Sequence, residues 1–208
     1  MGLYSSWVFP RLTDIVMSES CMTDCRRSLL KDVSGDVLEI GFGTGLNLPH
    51  YSSEVRSLTT VDPNAGMKAI AQKRIDTAPF PVHAQVLNGE DLPMNNDSFD
   101  SIVCTWTLCS IPNASKALQE AYRVLKPNGK FYFVEHGLSE EARIQTWQNR
   151  LTPIQKVLAD GCHLNRKIDA LIGEVFDEIS VKEFYAPRLP KFIGYFYQGV
   201  ATKRAASN

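Results

Sequence analysis

The string Glu39-Ile40-Gly41-Phe42-Gly43-Thr44-Gly45-Leu46-Asn47 is where residue types and spacing most clearly permit chemistry. It ends an apolar run, DVLEIGF, that reads as a buried strand, and it leads into Leu46 to Tyr51, which reads as a helix opening. Glycines at the carboxyl end of a parallel strand let the backbone approach a ligand closely. A dinucleotide fingerprint, G-x-G-x-x-G, needs its third glycine at position 46. Leu46 stands there, so the fingerprint fails and a nicotinamide-dependent oxidoreductase is disfavoured. The spacing that does hold is G-x-G-x-G with a carboxylate, Glu39, just before it. That charge would repel a diphosphate, which a dinucleotide site instead meets with helix N-terminal N–H groups.

Further along, Asp62 ends a second strand seventeen positions after Gly45. It reads either as a carboxylate for sugar hydroxyls or as a surface cap ahead of Pro63. His136, just past a fifth strand, is the leading general-base candidate; the other reading is a ring that fixes the Glu135–Gly137 loop. A second cluster, ADGCHLNR, holds Asp160, Cys162, His163 and Arg166. It reads as a lid that covers an acceptor and holds an anion through Arg166, or as a helix end at Gly161 with Asn165 capping the next helix. Trp106 and Cys109, after the fourth strand, read as pocket wall or as core. Trp147, Tyr185, Tyr195 and Tyr197 read as core and edge aromatics. The histidines His50, His83, His136 and His163 have no HxxxH or HxH spacing, and the cysteines 21, 25, 104, 109 and 162 form no CxxC pair, so no metal is expected.

The elements that must position these groups alternate. DVLEIGF, SLTTVD, PVHAQVLNG, SFDSIVCTWTL and KFYFVEHG read as strands, with helices near Ala65–Thr77 and Ser115–Leu125. Lys126-Pro127-Asn128-Gly129 reads as a turn in which Pro stops the helix and Gly tolerates positive φ. Such alternation predicts an α/β fold, a doubly wound, mostly parallel sheet. Apolar positions Leu12, Ile15, Val16, Cys21, Met22, Cys25 and Leu29 predict one or two N-terminal helices at the sheet's edge. Glu140 to Ile172 reads as helical. EISVKEFYA and GYFYQGVATK complete seven strands, the last an antiparallel C-terminal edge strand. The chain then reads as a single domain. Residues 1–33 form helices over the site, 34–137 a cofactor-binding core, 138–173 a helical lid and 174–208 the final strands.

The glycine loop, VDPNAGM, LNGEDLPMNNDSFDSIV and AYRVLKPNGK occur in one order over Asp36 to Gly137, and this set resembles the class I S-adenosylmethionine-dependent methyltransferases. The resemblance implies a Rossmann-like methyltransferase fold, with S-adenosyl-L-methionine as cofactor and S-adenosyl-L-homocysteine as product. It implies that Glu39 faces the cofactor's cationic amino-acid end, above a loop of Gly41, Gly43 and Gly45 with Asn47. By the same resemblance Asp62 accepts the ribose hydroxyls and Pro63 and Met67 lie by the adenine. Asn88, Gly89 and Glu90 then meet the adenine's polar edge, with Thr105 completing the set. VCTWTLCSIPN, FYFVEHG and DGCHLNR look like strings of the methyltransferase-like thiol methyltransferases, and the two ends of the chain look like soluble bacterial members of that group. The animal members carry a membrane-anchoring N-terminus, and none is expected here.

Composition bounds the rest. With 22 Lys+Arg against 23 Asp+Glu and a formal charge of −1, nothing favours nucleic acid or an anionic membrane as partner. Five cysteines in 208 residues exclude a disulfide scaffold and suit a cytoplasmic compartment. Gly2 and Ser6 fit an acylation signal, a chance match being the commoner origin. The expected function is SN2 methyl transfer to a small molecule, best a thiol or other soft nucleophile, by a monomer or homodimer. A quinone- or lipid-precursor methyltransferase and a non-catalytic cofactor-binding regulator are the alternatives.

Overall fold

Strand β1 (Gly35–Ile40) is buried along nearly its whole length, as a strand covered on both faces must be. In the computed structural model residues 7–205 are described; the Gly2 and Ser6 match lies outside them. The further strands are β2 (Val55–Val61), β3 (Val82–Gln85), β4 (Phe99–Thr105), β5 (Leu125–His136), β6 (Glu178–Tyr185) and β7 (Tyr195–Thr202). Helices α1 (Phe9–Met17), α2 (Ser20–Leu30), α3 (Ala65–Ile75), α4 (Ala114–Val124), α5 (Ala142–Leu158) and α6 (Ile168–Gly173) surround them. Among the described residues, the strands make one sheet in the order β3-β2-β1-β4-β5-β7-β6. β1 to β5 pair in parallel, and β7 runs antiparallel to β5 and β6. The doubly wound, mostly parallel sheet read from the sequence is present.

Several expectations need correction. The antiparallel C-terminal strand exists, but the edge is β6 and β7 lies one place inward. Phe196 and Tyr197 are fully buried, so β7 needs a neighbour on each side, whereas β6 exposes Glu178, Ser180 and Lys182. The N-terminal helices do not sit at the edge. α2 lies on a sheet face over β5 and β7, while α1 joins α3 through a bidentate Asp14–Arg74 pair at 2.8 and 3.2 Å. Leu12, Ile15 and Val16 of α1 point outward because that ion pair, not the apolar stripe, attaches the helix. In the turn after α4 the left-handed residue is Asn128, at φ 63°, rather than Gly129. The helix opening at Leu46 is a single 3-10 turn, Leu48–His50.

Period-two alternation splits the core. Leu38, Ile40, Ile102, Cys104, Phe131 and Phe133 face α4 and α6, while Val37, Val103, Tyr132, Val134 and Phe196 face α2. Phe131 stacks on Phe133 and Phe176 with centroids 6.0 and 5.1 Å away. Phe131→Ala should therefore cost about 3–5 kcal/mol, read as a lower urea midpoint with an unchanged slope.

The chain runs outward from β1 to β3 and then returns to β4. The carboxyl ends of β1 and β4 therefore flank the point where strand order reverses, the place where open α/β sheets bind ligands. The glycine loop leaves β1 there, residues 106–111 leave β4 beside it, and His136 ends β5.

Candidate active site

The alternation that buries Val37 under α2 turns Glu39 to the same face, where it is 1% exposed. Its carboxylate accepts from Asn47 Nδ2 at 2.7 Å and from the Tyr51 hydroxyl at 2.7 Å. Asn47 also donates to Thr105 Oγ1 at 3.1 Å and accepts from Arg26 Nε at 3.0 Å. Burial pushes the Glu39 carboxyl up to about 7, against the pull of the Tyr51 and Asn47 hydrogen bonds and the Arg26 charge. Burial likewise lowers the Arg26 guanidinium to about 10. Arg26 reaches the Met17 carbonyl at 2.7 Å and lies 4.9 Å over the Trp106 ring. Neither Arg26 nor Tyr51 was foreseen as part of the site. A signal for Arg26 was legible: with Met22, Cys25 and Leu29 it falls on the inward stripe of α2 at i, i+3, i+4 and i+7.

Gly41, Gly43 and Gly45 all have positive φ, at 78°, 56° and 79°. A Cβ on Gly41 would collide with Thr107, whereas one on Gly43 would meet nothing within 4 Å. The first glycine is needed for packing and the second leaves open space at the loop's crest. The Gly43 N–H donates to Asp62 Oδ2 at 2.8 Å, and Asn64 N–H donates to Asp62 Oδ1 at 2.8 Å. Asn64, two residues past Asp62, caps α3 by accepting from Gly66 N–H. Burial raises the Asp62 carboxyl, against those two N–H bonds, and the charge of Asp160 also raises it. Pro63 links the two, and Met67 is buried in the first turn of α3. Asn88 Oδ1 accepts from Glu90 N–H at 3.1 Å, and Glu90 accepts from Asn113 N–H at 3.0 Å. Gly89 lies against Ile40 at the end of β1. These residues, scattered over 39–105, gather at one end of the sheet.

A second group surrounds the ends of β4 and β5. Glu135 is fully buried and accepts from the N–H groups of Thr107, Leu108 and Cys109 at 2.9, 3.0 and 3.2 Å. Burial raises its carboxyl while those three bonds hold it down. Trp106 is left-handed at φ 49°, and its indole N–H is buried with no hydrogen-bond partner. Cys109 Sγ, His136 Nδ1 and Cys162 Sγ form a triangle: 3.5 Å between the sulfurs, and 3.7 and 3.8 Å from His136 to Cys109 and Cys162. His163 donates its backbone N–H to the Cys109 carbonyl at 2.8 Å, and its ring Nδ1 lies 3.1 Å from the same oxygen. Arg166 does not stand ready for an anion. It donates to the carbonyls of Leu108, Ile111 and Pro112, tying down the loop after β4. Asn165 does not cap a helix either: α6 starts after Lys167, and Asn165 donates to Asn149 at 2.9 Å. Trp147 is half exposed, not core.

A family model described as a methyltransferase domain matches residues 38–133. Thiol S-methyltransferase TMT1A of Homo sapiens is 36% identical over 176 residues, which cover 80% of this chain and 70% of that protein. The chain belongs to the S-adenosylmethionine-dependent methyltransferases. Within them, its family is the one that contains TMT1A. Thiol S-methyltransferase TMT1B of Homo sapiens matches this methyltransferase at 31% identity over 232 residues, 98% of this chain and 91% of that protein. An S-adenosylmethionine-dependent methyltransferase of Thermotoga maritima, titled a possible histamine N-methyltransferase, superposes with a TM-score of 0.68. It covers 97% of this chain and 98% of its own at 22% identity, a likeness of fold alone. The methyltransferase is thus an enzyme whose methyl donor is S-adenosylmethionine, as the glycine loop implied.

Proposed function

We propose that this methyltransferase transfers the methyl group to a small thiol. The observation that carries the acceptor is a cluster of soft groups at the carboxyl ends of β4 and β5: Cys109, Cys162 and the His136 ring, which packs on Phe196, itself packed on Trp106. Kinship with TMT1A and TMT1B points the same way.

The residues fit the cofactor. Gly43 leaves open space where a ligand must approach the backbone, and two buried carboxylates, Glu39 and Asp62, flank it. Glu39 would offset the ammonium and sulfonium charges, held in aim by Asn47, Thr105 and Tyr51. Asp62 would accept the ribose hydroxyls. Pro63 and Met67 would line the adenine, with Asn88, Gly89 and Glu90 at its polar edge. The cofactor supplies a methyl group already activated by its sulfonium. What remains for the protein is to hold the acceptor sulfur in line, about 3–3.5 Å from the methyl carbon, and to take up its proton. A thiol with pKa about 8.5 needs only modest help for that. His136 and its two cysteines are the groups in position to give it. Helices α1 and α2 cover the cofactor side, and residues 138–173, through Asp160 and Cys162, cover the acceptor side as a lid. Among the described residues no helix is long and apolar enough to cross a membrane, and we read the enzyme as cytoplasmic.

The test is a product-mass screen of thiols, phenols, amines, quinols and lipid headgroups with the purified enzyme. Gain of one methyl on thiols is the expected result; methylation of another class with thiols untouched overturns the acceptor assignment.

A further inference from the structure

We infer that Cys109, His136 and Cys162 form a three-ligand site for a zinc-type divalent cation, with a fourth position open to the acceptor sulfur. The second half of this inference rests on the thiol reading above.

Among the described residues this is the one group of three or more His, Cys, Asp or Glu side chains whose ligand atoms could share a cation, all within 4.8 Å of one another. The shape of the triangle matters more than its size. A tetrahedral zinc ion with bonds of about 2.3 Å to sulfur and about 2.0–2.1 Å to nitrogen needs its ligands about 3.8 Å apart for S···S and about 3.6 Å for S···N. The distances here are 3.5 Å for S···S and 3.7 and 3.8 Å for S···N. One ion can therefore touch all three atoms with shifts of a few tenths of an ångström. Two thiolates and one imidazole are also the donor set of open, catalytic zinc sites, which keep one position for a water or substrate. A pair of thiols serving as apolar filler would have no use for an imidazole nitrogen turned toward both.

The ligands are held by their neighbours before any ion arrives. Glu135 restrains the backbone of 107–109, which carries Cys109, through three N–H groups. Residue 163 is stitched to it by the His163 N–H on the Cys109 carbonyl, and Cys162 is held in its own turn by its N–H on the Ala159 carbonyl at 3.1 Å. Arg166 ties the far side of the same loop at Leu108 and Ile111. The His136 ring rests edge-on against Phe196, 5.2 Å between centroids. Supporting contacts of this kind orient ligands and sharpen metal affinity. Two thiolates balance a divalent charge, and the guanidinium of Arg166 lies within electrostatic reach of both sulfurs to offset a third.

The chemistry closes. As the acceptor sulfur becomes the fourth ligand, its S–H bond breaks and the proton goes to solvent. A lone pair on that sulfur then forms the S–C bond while the methyl–sulfonium bond breaks, its electrons returning to the donor sulfur. The product is a thioether, a weaker ligand than a thiolate, and it leaves. His136 is on this account a metal ligand and not the general base.

The experiment uses the full chain purified without chelator. Elemental analysis should find one zinc per chain, and replacement by Co²⁺ should give the sulfur-to-metal charge-transfer and intense d–d bands of tetrahedral cobalt. Adding a thiol in the absence of methyl donor should shift those bands. Cys109→Ser, Cys162→Ser and His136→Ala should each weaken metal binding by about 100-fold or more, since each removes one of three ligands. The wild-type cobalt spectrum stands as evidence even where a variant misfolds. Purified chain that takes up no Zn²⁺ or Co²⁺ at micromolar concentration, or that carries a Cys109–Cys162 disulfide which on reduction still binds none, overturns the site. Metal bound while thiols go unmethylated would keep the site and sink the thiol reading. Thiol methylation at an unchanged rate after the metal is stripped would keep that reading and remove the metal from it.

Discussion

Asp62→Ala should reduce affinity for S-adenosylmethionine by about 100-fold or more, measured by calorimetry or by loss of cofactor-induced thermal stabilisation. Two effects add. A carboxylate that accepts a sugar's hydroxyl pair contributes about 1.5–3 kcal/mol per charged hydrogen bond. The same carboxylate organises the glycine loop, because its two oxygens take the N–H groups of Gly43 and Asn64. Alanine leaves both donors without that partner, so the glycine loop and the start of α3 lose their common anchor. Asp62→Asn separates the two effects. Its one remaining oxygen can keep a single N–H bond, so the loss of affinity should be smaller than for alanine but should persist at every pH. Wild-type affinity in Asp62→Ala would remove Asp62 from the cofactor site.

Glu39→Gln should produce an effect of similar size that depends on pH. Burial holds the Glu39 carboxyl at about 7 in the chain alone. A cationic ligand binds the ionised form, so wild-type affinity should rise about tenfold per pH unit up to pH 7 and then level off. The glutamine variant should bind about 100-fold more weakly than wild type at pH 8 but only about threefold more weakly at pH 5.5, where wild type is itself mostly protonated. The folded-state pKa lies above the ordinary value of 4.5, so the native state holds the extra proton between those two values. Stability of the chain without ligand should therefore fall as pH rises from about 4.5 through 7, by on the order of 3 kcal/mol, and Glu39→Gln should flatten that fall. The variant should fold, because glutamine's oxygen can accept from Asn47 while its amide donates to the Tyr51 oxygen. A pH-independent wild-type affinity would show that Glu39 does not meet the cofactor's charge.

The apolar residues of α1 suggest a packing stripe, and GYFYQGVATK suggests an edge. In both cases the local pattern specifies helix or strand, but what covers it depends on elements far away in sequence. An Asp14–Arg74 pair, sixty residues apart, decides where α1 lies. A partner strand on each side, β5 and β6, decides that β7 is interior. Arg166 and Asn165 behave likewise. A basic residue and an amide after a glycine suggest an anion site and a cap, but their hydrogen-bond partners, Leu108, Ile111 and Asn149, come from the loop after β4 and from α5.

By itself the sequence determined the class of cofactor. Strand, glycine spacing, Glu39 and Asp62 are local features, because left-handed φ values and period-two burial are set within a few residues. The tertiary structure alone decided which side chains meet at the carboxyl ends of the strands. Arg26, Asn47, Glu39 and Tyr51 become one buried network only when α2 settles on the sheet. Cys109, His136 and Cys162, separated by 27 and 26 residues, meet only because β4 and β5 are neighbours and the chain after α5 folds back over their ends. No spacing rule for metal ligands reads that convergence, since the three side chains come from the loop after β4, the end of β5 and the turn after α5, and it is the order of the strands that brings them together.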